Sequence, residues 1–316
     1  MKKRPLGKTG FDIAPLVFGG NVFGWTIDEK ASFDVLDAFV DHGFDAIDTA
    51  DSYSRWKPGN QGGESETIIG RWLKARPGLR DKLKIFTKVG SDLGRPGEKG
   101  LSARWVTEAI DRSLGRLGID RVDLYFSHWP DDTPYEETLG AYDRLIAAGK
   151  VRAVGVSNVN AEQLAAALAV SRDRHLPAYQ VLQPNYSLAE RDRFDGDLRD
   201  LCMREEIGVV PYYSLASGFL TGKYRSADDL KGSSRAGGVE KYMNPRGFGI
   251  LAALDQVAEA HHAKPAEVAL AWLMARPGVT APIASATKVS HVESFAHAAT
   301  LHLTPAEIEL LDKASG

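Results

Sequence analysis

Phe44-Asp45-Ala46-Ile47-Asp48 is a short run rich in β-forming residues that ends on a carboxylate, and the chain repeats this plan twice more. Lys84-Ile85-Phe86-Thr87-Lys88 ends on an amine 40 residues later, and Val122-Asp123-Leu124-Tyr125-Phe126-Ser127-His128 ends on an imidazole 40 residues after that. A strand, a crossover helix and two loops need roughly 30 residues or more, so the equal step predicts successive βα units. In barrels built from such units the chemistry sits at the carboxyl ends of the strands. Asp48, Lys88 and His128, with Tyr53 just past the first, are therefore predicted to face one another across one rim.

The alternation continues on both sides of this segment. A hairpin turn is expected at Lys8-Thr9-Gly10, and the first buried run is Ala14 to Phe18, closed by Gly19-Gly20. A helix pattern starts at Asp28 and sets Phe33, Leu36, Phe39 and Val40 on one stripe. Later strands read Val151 to Val156, Tyr179 to Leu182, Gly208 to Tyr213 and Val279 to Ile283. Later helices read Ser102 to Leu117, Tyr135 to Ala148, Ala161 to Ser171, Phe194 to Glu205, Gly249 to His261 and Pro265 to Ala275. Two more, Val289 to Ala298 and Pro305 to Ala314, finish the chain. Strands alternating with helices predict the α/β class, and the count of eight strands predicts a (β/α)₈ TIM barrel with an N-terminal hairpin and C-terminal helices. Residues 1–316 are expected to form one such domain. Arg55 to Gly63 and Arg225 to Gly247 interrupt the rhythm, and loops of this length in a compact domain read as functional lids or as disordered segments, a lid being useful at the strand-end rim.

Composition narrows the partners. With 43% hydrophobic and 26% charged residues and a net charge of −3, the chain reads as an ordinary soluble protein with no electrostatic footprint for nucleic acid. The single cysteine, Cys202, excludes an internal disulfide framework and fits a reducing compartment. No run of about 18 apolar residues exists to cross a membrane. The basic start Met1-Lys2-Lys3-Arg4 is not followed by the apolar stretch of a signal peptide, so a cytoplasmic location is expected. No metal motif and neither of the common glycine-rich phosphate motifs occurs, so any nucleotide must be held by another architecture. No pattern specifies an oligomeric state.

An acid, a phenol, an amine and an imidazole at one rim make a proton-transfer set. A free phenol has a pKa near 10 and gives up its proton poorly at neutral pH. An ammonium about 4 Å away would interact with a phenolate at ~4 kcal/mol in a medium of effective dielectric about 20. That would bring Tyr53 down toward about 7, with Asp48 offsetting part of the field while keeping Lys88 charged. Such a phenol gives or takes a proton, and His128 can orient a substrate oxygen. Carbonyl chemistry suits these groups better than hydrolysis.

At this point the residues resemble a known family. Leu6-Gly7-Lys8-Thr9-Gly10, Phe44-Asp45-Ala46-Ile47-Asp48-Thr49-Ala50 with Tyr53, and Gly63-Glu64-Ser65-Glu66 look like the opening motifs of the aldo-keto reductases. Ile85-Phe86-Thr87-Lys88, Phe126-Ser127-His128-Trp129, and Gly149-Lys150-Val151-Arg152 running to Gly155-Val156-Ser157-Asn158 are similar to its later strand ends. The likeness covers essentially the whole chain and points to the bacterial branch related to potassium-channel β subunits. It implies an oxidoreductase that interconverts small-molecule carbonyls and alcohols with NADPH, or with NAD. Tyr53 would be the general acid/base, tuned by Lys88 and Asp48, with His128 placing the carbonyl oxygen.

By the same resemblance Ser157, Asn158 and Gln183 would hold the nicotinamide carboxamide, Tyr213 would stack under the ring, and Gly20, Asn21 and Val22 would border it with Asp48. Ser214, Leu215, Ser217, Gly218 and Lys223 would line the pyrophosphate, although the family often has proline where this chain has Leu215. Ser285, Ala286, Thr287, Lys288 and His291 would take the adenosine end, with Lys288 offered to a 2′-phosphate as a point charge. His291 and Phe295 stand where the family commonly carries amides. Trp25 and Trp129, with Tyr53 and His128, would form the substrate wall. Two other classes remain open on these residues: a nucleotide-sensing interaction protein with little turnover, and an aldolase working through a Lys88 imine.

Overall fold

Backbone pairing places eight strand segments side by side and parallel. In the computed structural model, which describes residues 1–316, these are β1 Val17–Gly19, β2 Ala46–Asp48, β3 Lys84–Val89, β4 Val122–Ser127, β5 Val151–Ser157, β6 Val181–Gln183, β7 Gly208–Val209 and β8 Ile283–Ala284. The order follows the chain, with β8 beside β1. Bonds from Thr280 N to Val209 O and from Ile283 N to Pro211 O, each 2.8 Å, join the β8 edge to the β7 edge and close the barrel. The fold is the predicted (β/α)₈ barrel. The antiparallel hairpin Arg4–Pro5 with Asp12–Ile13 packs Leu6, Phe11 and Ile13 onto the same apolar cluster as the barrel lumen.

The period of two along each strand explains the two cores. In β3 Phe86 joins the small cluster that contains Leu124, Phe126 and Val181, while Ile85 and Val89 join the large cluster beneath the helices. Gly155 in β5 has a packing reason. A Cβ there would lie 2.5 Å from the Phe126 ring, so only glycine lets the ring fill the lumen. Register then aligns the chemistry: Gly19 pairs with Asp48, Lys88 with Phe126 and Ser157 with Gln183, so Asp48, Lys88, Ser157 and Gln183 stand at one end.

Helix caps account for several boundaries. Asp28 accepts from Ala31 N at 2.9 Å and starts Glu29–Asp41. Asn160 and Gln163 make a reciprocal capping box at Ala161–Arg174. Pattern reading passes over one helix, Glu64–Lys74, which buries Ile68, Ile69, Trp72 and Leu73 on one face directly after the Gly63-Glu64-Ser65-Glu66 motif. The Arg225 to Gly247 stretch is also not one loop. It contains helical turns at Ala227–Leu230 and Ala236–Val239, and the helix expected from Gly249 begins at Pro245. There Asn244 Oδ1 accepts from Gly247 N at 2.9 Å and Pro245 takes the first helical position, where its missing N–H costs nothing.

The late strands are shorter than their apolar runs. Gly208 to Tyr213 keeps ladder pairing only at Gly208–Val209, and Tyr212 makes an isolated bridge to Asn185. The helix read from Phe194 begins at Asp197, because Gly196 at φ +94° breaks the regular backbone before it. No helix is long and apolar enough to cross a membrane.

Candidate active site

Three successive strand ends deliver the proton-transfer set. Asp48 closes β2, Lys88 is the penultimate residue of β3 and His128 follows β4. Lys88 Nζ donates to Asp48 Oδ2 at 2.6 Å, to Thr49 O at 2.8 Å and to Tyr53 Oη at 2.8 Å. All three ammonium donors are thereby used in a site with no solvent contact. Tyr53 Oη in turn donates to Asp48 Oδ2 at 3.1 Å. The His128 ring centroid lies 6.0 Å from that of Tyr53. Together these groups border a cleft of about 850 Å³ at the strand-end rim, although Lys88 itself stays behind Tyr53 and out of it.

The electrostatics correct one expectation. Burial, and after it the charge and hydrogen bond of Asp48, holds the Tyr53 phenol well above its usual value rather than below it. Sequence reading put Lys88 in command. In the folded protein that ammonium is half of a buried ion pair, and burial itself lowers its affinity for the proton against the pull of Asp48. The resting site therefore stores a proton on the phenol. His128 is pushed well below the usual histidine range by burial and then by Lys88, which makes it a neutral imidazole.

The polar set assigned to a carboxamide is also gathered. Gln183 Nε2 donates to Asp48 Oδ1 at 3.0 Å, which leaves its carbonyl oxygen for the cleft. Ser157 Oγ donates to Gln183 O at 2.7 Å. Asn158 adopts φ +61° and is held there by Tyr212, whose hydroxyl donates to Asn158 Oδ1 at 2.6 Å. Tyr213, at φ +54°, stands half exposed over the opening. Asn21, Val22, Ser214, Leu215, Ser217, Gly218 and Lys223 continue the wall, and Ser217 and Gly218 both take left-handed backbone. At the far end Ser285, Thr287 and His291 line the cleft, Ser285 Oγ donating to Asn21 Oδ1 at 2.6 Å. His291 is depressed by burial and then by Lys288, Lys223 and Lys264, so this end is crowded with positive charge.

Besides Lys88, four expected residues fall outside the cleft lining. Gly20 and Ala286 are buried beneath it, Lys288 is exposed at the start of the helix Val289–Thr300, and Trp25 lies to one side. Trp25 packs edge-on against Trp56, their centroids 5.4 Å apart, and it is Trp56, half exposed and 6.0 Å from Tyr53, that forms the wall with Trp129. Pattern reading missed Trp56, Ser91, Tyr212 and Arg235. Arg235 reaches in from the helical turn Ala236–Val239 and lays its guanidinium over Trp25 at 4.9 Å, with no carboxylate partner. A lone unpaired-looking arginine in a Gly-rich stretch carries no periodic signal.

A neutral imidazole, a loaded phenol and a charge-balanced amine at the mouth of a barrel are groups of the kind that general acid–base chemistry uses. The comparisons agree with that class. The sequence profile described as the aldo/keto reductase family matches residues 15–315, and the chain belongs to that family. It is 31% identical to the uncharacterized oxidoreductase YrpG of Bacillus subtilis, over 97% of this chain and 94% of that one. It is 30% identical to the aldo-keto reductase yakc [NADP(+)] of Schizosaccharomyces pombe, over 98% of this chain and 91% of the relative. A probable voltage-gated potassium channel subunit beta of Arabidopsis thaliana is 30% identical over 93% of this chain and 89% of its own.

Proposed function

We propose that this chain is an NADPH-dependent oxidoreductase that interconverts aldehydes or ketones and alcohols, with Tyr53 as general acid/base. The observation that carries the reading is the Tyr53 hydroxyl, held by Lys88 at 2.8 Å and Asp48 at 3.1 Å at the edge of the cleft. The residues fit a dinucleotide along their length: a free amide carbonyl on Gln183 and the fixed amide of Asn158 at one end, and three lysines around His291 at the other. Lys223 and Arg235 would meet the phosphates between them. A bound nicotinamide would supply or accept the hydride.

The chain's own groups handle the proton. In reduction the carbonyl oxygen sits between Tyr53 Oη and the His128 ring; the Tyr53 hydroxyl turns its one proton from Asp48 Oδ2 to that oxygen, and the His128 ring donates to it as well. As negative charge gathers on that oxygen it becomes far more basic than a phenolate, and the Tyr53 proton crosses. Lys88, already at hydrogen-bond distance, balances the phenolate that forms. In oxidation the same phenolate takes the proton back. Trp56 beside Tyr53 and Trp129 stacked on His128, both half exposed, offer apolar faces that suit aromatic aldehydes, cyclic ketones or sugars.

Absorbance of the reduced nicotinamide, followed with NADPH and NADH against aromatic aldehydes and cyclic diketones, tests this directly. Turnover should fall by about 10²-fold or more in Tyr53→Phe. A Tyr53→Phe protein with wild-type turnover sinks the assignment. Tight cofactor binding without turnover on any carbonyl or alcohol would instead favour a nucleotide-sensing interaction protein.

A further inference from the structure

His128 has a second partner that the acid–base argument leaves unused. Ser91 Oγ lies 3.0 Å from His128 Nδ1. Ser91 is two residues beyond β3 and three beyond Lys88, so one strand end delivers both the ammonium behind Tyr53 and the hydroxyl behind His128. A neutral imidazole carries its proton on one nitrogen only, and the hydrogen bond at the other nitrogen decides which. For His128 to donate to a substrate oxygen the proton must be on Nε2, and Nδ1 must accept.

We propose that Ser91 is a positioning residue that donates its hydroxyl proton to His128 Nδ1 and so keeps the imidazole in the Nε2–H form that donates to the substrate carbonyl. No other hydrogen-bond partner of the Ser91 hydroxyl occurs within the protein, so donating to Nδ1 uses its one proton. The backbone side of His128 is fixed separately: its amide donates to Val89 O at 2.8 Å and its carbonyl accepts from Asn158 Nδ2 at 2.9 Å. Trp129 stacks on the ring at 5.8 Å and presents no polar group to Nδ1. The surrounding charges favour the neutral ring, since burial and the Lys88 ammonium oppose protonation. The proposal rests on the carbonyl-reductase reading for its consequence, while the tautomer itself does not depend on turnover.

The test therefore uses two readouts. Nitrogen-15 NMR of histidine-labelled wild-type protein should show His128 with a protonated Nε2 and a bare, hydrogen-bonded Nδ1. Ser91→Ala should shift the Nδ1 resonance, and reductase kcat should fall about tenfold, the population change given by one lost hydrogen bond, with KM for the cofactor unchanged. Ser91→Thr should restore both the resonance and kcat. A wild-type His128 protonated on Nδ1, or a Ser91→Ala protein with unaltered resonance and kcat, overturns the proposal. If the wild type turns over no carbonyl, the function fails and the NMR arm still decides the tautomer.

Discussion

Lys88 Nζ and Asp48 Oδ2 lie 2.6 Å apart with neither side chain reaching solvent. Removing both charges from water costs several kcal/mol per ion, and the pair persists because every donor of the ammonium is used and Gln183 occupies the second carboxylate oxygen. The pair places a neutral but polarised unit against one side of Tyr53.

Breaking it from one side should be expensive. Lys88→Met leaves Asp48 charged and buried, and we expect a loss of about 3–5 kcal/mol in urea unfolding, together with loss of turnover. Lys88→Met with Asp48→Leu should recover much of the stability and none of the activity. Equal stability of Lys88→Met and wild type would contradict the pairing.

The pH dependence follows from the direction in which Tyr53 is shifted. Reduction needs the protonated phenol, and burial followed by Asp48 raises its affinity for the proton. The reduction rate should accordingly stay level from neutral pH into the alkaline range before it falls. Oxidation needs the phenolate, so its rate should climb with pH over the same interval. Initial rates in both directions between pH 6 and pH 10 check this (about 10 being the free phenol). A reduction limb that falls between about pH 7 and pH 8 would restore the lowered phenol expected from sequence.

Tyr212→Phe isolates the strap that holds Asn158 in left-handed backbone. The bond from Tyr212 Oη to Asn158 Oδ1 is 2.6 Å. Its loss should weaken nicotinamide binding by about 1 kcal/mol, near fivefold in Kd, while kcat with saturating cofactor changes little. Cofactor titration by fluorescence quenching reads this, and a Kd equal to wild type removes Tyr212 from the account.

How much was legible depends on where each signal resides. Asp48, Lys88 and His128 could be found because strand ends recur at a fixed step, and a step survives in sequence. Ser157 and Gln183 were reached only through the family resemblance. Ser91, Trp56 and Arg235 sit in loops, and their meeting with His128, Tyr53 and Trp25 is decided by turn geometry that no period records. The sign of the Tyr53 shift was misread for a related reason. Coulomb's law between two residue types could be written down, but the depth to which both are buried belongs to the assembled barrel. The helix Glu64–Lys74 carries an apolar stripe, but it opens on Gly63 at φ +87° with no capping side chain, so the usual start signal is missing.

The burial of Lys88 has one more consequence. An enzyme that handles aldehydes is at constant risk of being poisoned by them, because a free amine condenses with its own substrate. The one lysine at the reaction centre is walled off by Tyr53 and fully spent on Asp48, Thr49 and the phenol, so no lone pair faces the cleft. The same contacts that balance charge also keep this one amine from reacting with an aldehyde beside Tyr53. Borohydride treatment in the presence of an aldehyde should label surface lysines and leave Lys88 untouched.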